Sequence, residues 1–205
     1  MKRIAYFCGM EKKEIKTEIH PLPPFFPQGA KVLMMGSFPP PKARWVMDFY
    51  YPNFQNDMWR IMGLVFFEDK EYFLTADKKK FCESRIREFL TQTGIALTDS
   101  AREVFRQKDN ASDKFLEIIK TIDLKATLQQ LNDCQAIVTT GQKATDTLLS
   151  LIDTEEPKVG GFSTFTFEGR ELRLYRMPSS SRAYPKPLPE KAEVYQKMFK
   201  TLGML

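Results

Sequence analysis

A chain of 205 residues, 42% hydrophobic and 13% aromatic, holds enough apolar material for one sizeable core, so disorder is not its default state. Lys and Arg outnumber Asp and Glu by 31 to 26, and the net charge of +5 permits a polyanion partner without requiring one. Three scattered cysteines (Cys8, Cys82, Cys134) and one histidine (His20) argue against a disulfide framework, a cysteine zinc site or a Ser-His-Asp triad, unless His20 itself takes part.

Residues 1–20 are polar and weakly patterned, and read as a loose lead-in without a signal-peptide cleavage site. Residues 21–205 then read as a single domain. Pro21 to Pro27 carries four prolines and approaches the fold extended. Lys31 to Met35 is an apolar run stopped by Gly36, which predicts a strand buried on both faces. Asn56 precedes Asp57 and a helical apolar spacing through Phe66, so Asn56 is a candidate N-cap.

Asp77 to Thr93 has Phe81, Ile86, Phe89 and Leu90 among charges, which predicts an amphipathic helix closed near Gly94. Ile95 to Asp99 is a second buried strand. Helices are expected over Ser112–Ile119 and Asp123–Leu131. Ala136 to Gly141 repeats the strand-then-glycine design, and a helix follows over Lys143–Leu151. Phe162–Phe167 alternates with period two, Glu168-Gly169 is a tight turn, and Leu172–Met177 pairs back as a hairpin. Glu190 to Leu202 is the closing helix. Strands alternating with helices predict an α/β fold with a central, largely parallel sheet. In such sheets ligands bind beyond the carboxyl ends of the strands, so the loops after residues 35, 98, 140 and 177 should crowd one crevice.

Three segments in or near those loops carry the chemistry. Gly36-Ser37-Phe38-Pro39-Pro40-Pro41 is stiffened by its prolines and can hold backbone and a hydroxyl against a ligand; taken alone it reads first as a plain strand exit. Met177-Pro178-Ser179-Ser180-Ser181 offers hydroxyls and backbone N–H groups suited to phosphate oxygens, or is a solvated turn. Asp48 to Trp59 sets aromatics among amides, a composition that can stack on a base and bond its edge. Trp59 reads as core. Tyr51 and Asn56 are open between packing or capping and ligand contact.

Taken in order, Val32-Leu33-Met34-Met35-Gly36-Ser37-Phe38-Pro39, then Phe49-Tyr50-Tyr51 with Gln55-Asn56 and Trp59, then Met177-Pro178-Ser179-Ser180-Ser181, resemble the uracil-DNA glycosylase superfamily. The branch they are most similar to is the hypoxanthine (deoxyinosine) DNA glycosylase type. The resemblance implies a three-layer α/β/α fold and a monofunctional DNA glycosylase. Such an enzyme flips a deaminated base, uracil or hypoxanthine, out of DNA and hydrolyses its N-glycosidic bond during base-excision repair.

Carried over by position, Gly36, Ser37, Phe38 and Tyr51 bind the base, and Gly36 to Pro39 borders the water and sugar. Pro178, Ser179, Ser180, Ser181 and Lys143 contact the DNA backbone, and Arg182 and Tyr184 fill the vacated stack as a wedge. Phe38 stands where many branches place a water-activating Asp or Asn, and Met177 where some place a histidine. The resemblance therefore moves the catalytic roles to Asn56, which polarises water or sugar, and to Asp99, which reads the base or acts as general base. Asp99 has a competing reading as the N-cap of a helix over residues 100–105.

Lys42, Arg44, Arg102, Arg106, Lys143, Arg182 and Lys186 fall near the same loops and are expected to cluster as a phosphate-facing surface. Some relatives carry an iron–sulfur cluster on four cysteines, which three scattered cysteines do not match, so no metal or cofactor is expected. The expected setting is a cytoplasmic monomer acting on damaged DNA, away from membranes. Phe38 and Met177 also leave open a DNA-binding protein on the same fold with lost or altered chemistry.

Overall fold

In the computed structural model, residues 17–107 and 113–205 are described. The chain runs β1 (Thr17–Ile19), β2 (Val32–Gly36), α1 (Met58–Phe67), α2 (Glu83–Thr93), β3 (Ile95–Asp99), β4 (Ala101–Arg106), β5 (Leu116–Thr121), α3 (Leu124–Gln129), β6 (Ala136–Thr139), α4 (Gln142–Leu149), β7 (Phe162–Phe167), β8 (Arg170–Arg176) and α5 (Leu188–Thr201). Every residue of β2, β3 and β6 is buried, as uninterrupted apolar runs require when both faces of a sheet are covered.

These strands form a five-stranded sheet in the order β3-β2-β6-β8-β7. All pairings are parallel except the β7–β8 hairpin at the edge. Alternation along β2 divides the core. Val32 and Met34 pack with Met58, Trp59, Ile61 and Met62 of α1, Ile86 and Phe89 of α2, and Tyr195 and Phe199 of α5. Leu33 and Met35 face the other way, onto Leu124 and Leu128 of α3 and Leu148 of α4. The result is three layers, α/β/α, as predicted.

Strand register positions the site. Gly36 pairs with Asp99, while Met35 is level with both Thr98 and Thr139. Thr139 pairs with Arg176, so the residues that follow, Thr140 and Met177, leave the sheet at the height of Gly36 and Asp99. The backbone N–H groups of Thr140 and Met177 close this row, donating to the carbonyls of Met35 (3.0 Å) and Thr139 (2.9 Å).

A second, antiparallel sheet, β1-β4-β5, was not anticipated. Its pairing corrects three expectations. The stretch expected as a helix over residues 100–105 is strand Ala101–Arg106, so it gives Asp99 no helix to cap. The helix expected over Ser112–Ile119 gives way to a 3-10 turn at Asp113–Phe115 and then β5; Ser112 lies outside the described residues. The apolar spacing there fits a helix, but Leu116 and Ile118 also alternate, and pairing with β4 turns them toward Phe38, Ala101 and Val104. The loose lead-in also ends before residue 20. Thr17, Glu18 and Ile19 pair with Phe105, Val104 and Glu103, and His20 is buried.

Other boundaries move less. The helix expected from Asp77 begins at Glu83, because Thr75 and Asp77 close a turn first: the Thr75 hydroxyl donates to Asp77 and its N–H to the Lys80 carbonyl. Trp59 is core, as expected, with its indole N–H donating to the Tyr50 carbonyl at 3.1 Å. Cys134 is a buried free thiol, pushed by burial up to about 11. Among the described residues no helix is long and apolar enough to cross a membrane, and no group of histidine, cysteine and acidic residues is arranged to hold a metal ion.

Candidate active site

Beyond the carboxyl ends of β2, β3, β6 and β8 lies a cleft of about 590 Å³, within the size range of small-ligand sites. Its walls bring together Gly36, Ser37, Phe38, Tyr51, Asn56, Asp99, Ser179, Ser180, Ser181, Arg182 and Tyr184. These predicted residues come from segments far apart in sequence. Lys143 and Pro178 are not in the wall. Lys143 stands in the first turn of α4, and Pro178 is buried behind the serine loop, its carbonyl accepting from the Tyr195 hydroxyl at 3.1 Å.

The proline loop is held through its carbonyls. Gly36 and Ser37 accept from the N–H groups of Ser100 and Ala101 (2.9 and 3.1 Å). Pro39 accepts from Arg106 Nη2 (2.9 Å), and Pro40 from the Trp45 indole (2.7 Å). Phe38 is buried against the small sheet while still forming part of the cleft wall. Arg106 is therefore a clamp, not a phosphate contact: it is buried and also bonds both carboxylate oxygens of Glu18 (2.8 and 3.1 Å).

The expected basic surface is thinner for related reasons. Lys42 pairs with Asp48 and Lys186 with Glu190. Arg102 faces a separate groove beside Glu103. Among the described residues lining the cleft, the cations are Arg44 and Arg182.

The serine loop is anchored from below. Asp57 N–H donates to the Ser180 carbonyl (2.8 Å), and Lys191 Nζ to the Ser181 carbonyl (2.8 Å). The Asp57 carboxylate is buried between Arg182 Nε (2.9 Å) and Lys191 Nζ (3.4 Å), and Arg182 also reaches Gln55 (2.9 Å). Arg182, expected as part of a wedge, is thus ion-paired at the rim, with Tyr184 half-buried beside it. The hydroxyl oxygens of Ser179 and Ser181 accept from the N–H groups of Ser181 and Ala183 (both 3.2 Å). Each keeps an O–H to donate outward. Ser180 is buried.

Lys191 is 1% exposed, so removing its charge breaks a buried network. Lys191→Met should cost about 3 kcal/mol. An unfolding free energy from chemical denaturation lowered by less than about 1 kcal/mol would show that Arg182 alone holds Asp57.

At the cleft floor, Asp99 is the one carboxylate among the described lining residues. Its Oδ2 accepts from His20 Nε2 at 2.9 Å. Its Oδ1 lies over Gly36, close enough that a Cβ there would sit 2.5 Å away. Only a glycine leaves that oxygen its place. Tyr51 flanks it, with backbone in the left-handed region (φ 52°), a conformation that costs a bulky residue about 1–3 kcal/mol and recurs at working sites. The Tyr51 hydroxyl bonds Thr140 Oγ1 (3.0 Å), which donates to the Met35 carbonyl (3.2 Å). Burial, with Asp99 second, holds that hydroxyl well above the ordinary tyrosine range, so this wall stays neutral.

The N-cap expected at Asn56 falls one residue later, at Asp57, and Asn56 itself lines the cleft. Its Oδ1 accepts from the Met58 N–H at 2.9 Å at the start of α1, which turns its Nδ2 into a fixed donor. His20, Thr140, Asp57 and Lys191 were not assigned from the sequence. For His20 there was a signal, since it is the only histidine and follows a β-type Thr-Glu-Ile triplet. Asp57 and Lys191 lie 134 residues apart, and nothing local marks them.

No protein-family model matches the chain, and no curated protein does. Among solved structures it is similar to a solution NMR structure from Methanosarcina acetivorans described as a candidate uracil DNA glycosylase. The TM-score is 0.57 at 20% identity, over 86% of this chain and 95% of that one. The two chains share a fold. At that identity the likeness extends to architecture.

Proposed function

We propose that this protein is a monofunctional DNA glycosylase that accepts a deaminated base, uracil or hypoxanthine, flipped out of DNA, and hydrolyses its N-glycosidic bond in base-excision repair. The observation that carries this reading is Asp99: a lone carboxylate at the cleft floor, with one oxygen held by His20 and the other open above Gly36.

Base removal requires water to reach C1′ while the C1′–N bond breaks, and the base departs with the bonding electron pair. Asp99 Oδ1 takes the proton from that water as its oxygen bonds to C1′. Asn56 cannot take a proton, but its Nδ2 donates to a base carbonyl or sugar oxygen on which charge gathers. Phe38, Tyr51, Gly36 and Ser37 form the base pocket. Ser179 and Ser181 donate to phosphates flanking the lesion, and Tyr184, with the rim at Arg182, fills the gap in the stack. No lysine lines the cleft among the described residues, which favours attack by water over attack by an amine.

The test is cleavage of duplexes carrying uracil, hypoxanthine or xanthine, with abasic sites revealed by alkali. Activity on at least one is expected at modest salt, and silence on all three removes the reading. Salt-dependent binding without turnover would favour a non-catalytic DNA-binding protein on this fold. Asn56→Ala should slow cleavage on the order of tenfold or more and cost about 1 kcal/mol through the lost Met58 N–H bond. Full activity in that variant would end the donor role.

A further inference from the structure

We infer that His20 is a positioning residue for Asp99, supplied to the site by the strand that precedes the central sheet. This rests on the glycosylase reading of the cleft and adds to it a residue that orients the base. A carboxylate oxygen only accepts hydrogen bonds, so the 2.9 Å contact to Asp99 Oδ2 requires a proton on His20 Nε2. In the neutral ring with that proton, the other nitrogen, Nδ1, accepts from the Leu22 N–H (3.2 Å) and lies 2.9 Å from the Leu22 carbonyl, to which it donates only when it too is protonated, so both edges of the ring are engaged.

Nothing about the imidazole is free to move. Its side chain has no exposed surface, whereas Asp99 retains 9%, the part that reaches the cleft. Tyr50 stacks on one side at 6.1 Å, and Phe38 meets the ring edge-on at 5.2 Å. The His20 N–H donates to the Arg102 carbonyl at 2.8 Å, continuing the β1–β4 ladder, and the Glu18–Arg106 pair ties the same strand to the proline loop. Among the described residues, the charged group bonded to the imidazole is Asp99; Arg102 and Arg106 approach through neighbouring backbone and Phe38.

The consequence is a division of labour within one carboxylate. His20 occupies Oδ2 and fixes the torsion of the group. Oδ1 then has a single direction, over Gly36 into the cleft, where it can accept a proton from water. Without the imidazole the carboxylate can rotate, and a misplacement of about 1 Å at a reacting group can cost about a hundredfold in rate.

The experiment compares wild type, His20→Leu and His20→Gln under single-turnover conditions, alongside Kd for lesion DNA and thermal stability. His20→Leu should lose about tenfold to a hundredfold in cleavage rate with Kd within about twofold of wild type. His20→Gln retains an N–H donor at similar reach and should recover most of the rate. A His20→Leu rate within about threefold of wild type overturns the inference, as does equal loss in both variants with equally lowered Tm, which is a packing role.

Because His20 is the only histidine, its ring nitrogens give unique NMR signals that do not depend on turnover. A protonated Nε2 that shifts on Asp99→Asn is expected, and an unprotonated Nε2 overturns the pairing. If wild type cleaves nothing while that signal is present, it is the glycosylase reading that fails, and the catalytic part of this inference falls with it.

Discussion

Asp99→Asn should abolish base excision while leaving binding of lesion DNA intact. The substitution keeps the shape of the side chain and an oxygen able to accept from His20 Nε2. What it removes is the capacity to take a proton. A positioned general base contributes about 10²–10⁴ in rate, so the single-turnover rate should fall by at least that lower figure, about 2.7 kcal/mol or more of barrier. Affinity for lesion duplex, read by fluorescence anisotropy, should hold or tighten, since one negative charge leaves a site that faces phosphates. A variant cleaving within about threefold of wild type would show that Asp99 orients something else, and the base would have to be sought outside the described residues.

Gly36→Ala should be nearly as damaging, for a steric reason. Its Cβ would stand 2.5 Å from Asp99 Oδ1 and 3.7 Å from Tyr51. Strand β2 is the inner neighbour of both β3 and β6 and cannot slide aside without breaking two ladders. The carboxylate must yield instead, and its bond to His20 moves with it. Cleavage should fall about a hundredfold. Overpacking of this kind also costs typically about 1–3 kcal/mol, visible as a lower denaturation midpoint. The cycle with Asp99→Ala separates the two causes. Where the carboxylate is already gone, Gly36→Ala should lose most of its stability cost, and additive costs in the double variant would mean that the methyl group meets something other than Asp99.

The proline and serine loops show how far a linear reading reaches. The proline loop ends a strand buried on both faces, a local pattern of a short apolar run and then a glycine, whereas the serine loop ends the half-exposed β8 of the hairpin, marked locally by the Glu168-Gly169 turn and by Pro178. The convergence of Gly36, Asp99, Thr140 and Met177 on one row follows from parallel register, which the strand-end rule anticipates. What could not be read locally is the small sheet. Ala101–Arg106 and Leu116–Ile119 carry spacings that suit a helix as well as a strand, and only the pairing of β4 with β5 and with Thr17–Ile19 decides between the two. The expected basic surface failed on the same ground, because a charge in a loop has no fixed partner until the chain folds around it. Glu18 claims Arg106 across 88 residues, and Asp57 claims Arg182 across 125.

Composition and periodicity by themselves determined the α/β class, the order of the central strands along the chain, the hairpin at Glu168-Gly169, and the two loops that wall the cleft. These properties are written in residues close to one another, as apolar runs and turn residues. The tertiary structure alone decided how the side chains between the loops are held. It removed the competing helix-cap reading of Asp99 and held its carboxylate at the cleft floor, tied the Asn56 side chain to the start of α1, and took His20 from an apparently loose lead-in to the partner of Asp99, 79 residues away. Hydrogen bonds and burial over such separations leave no mark on local spacing, because they depend on which strands pair and in what register.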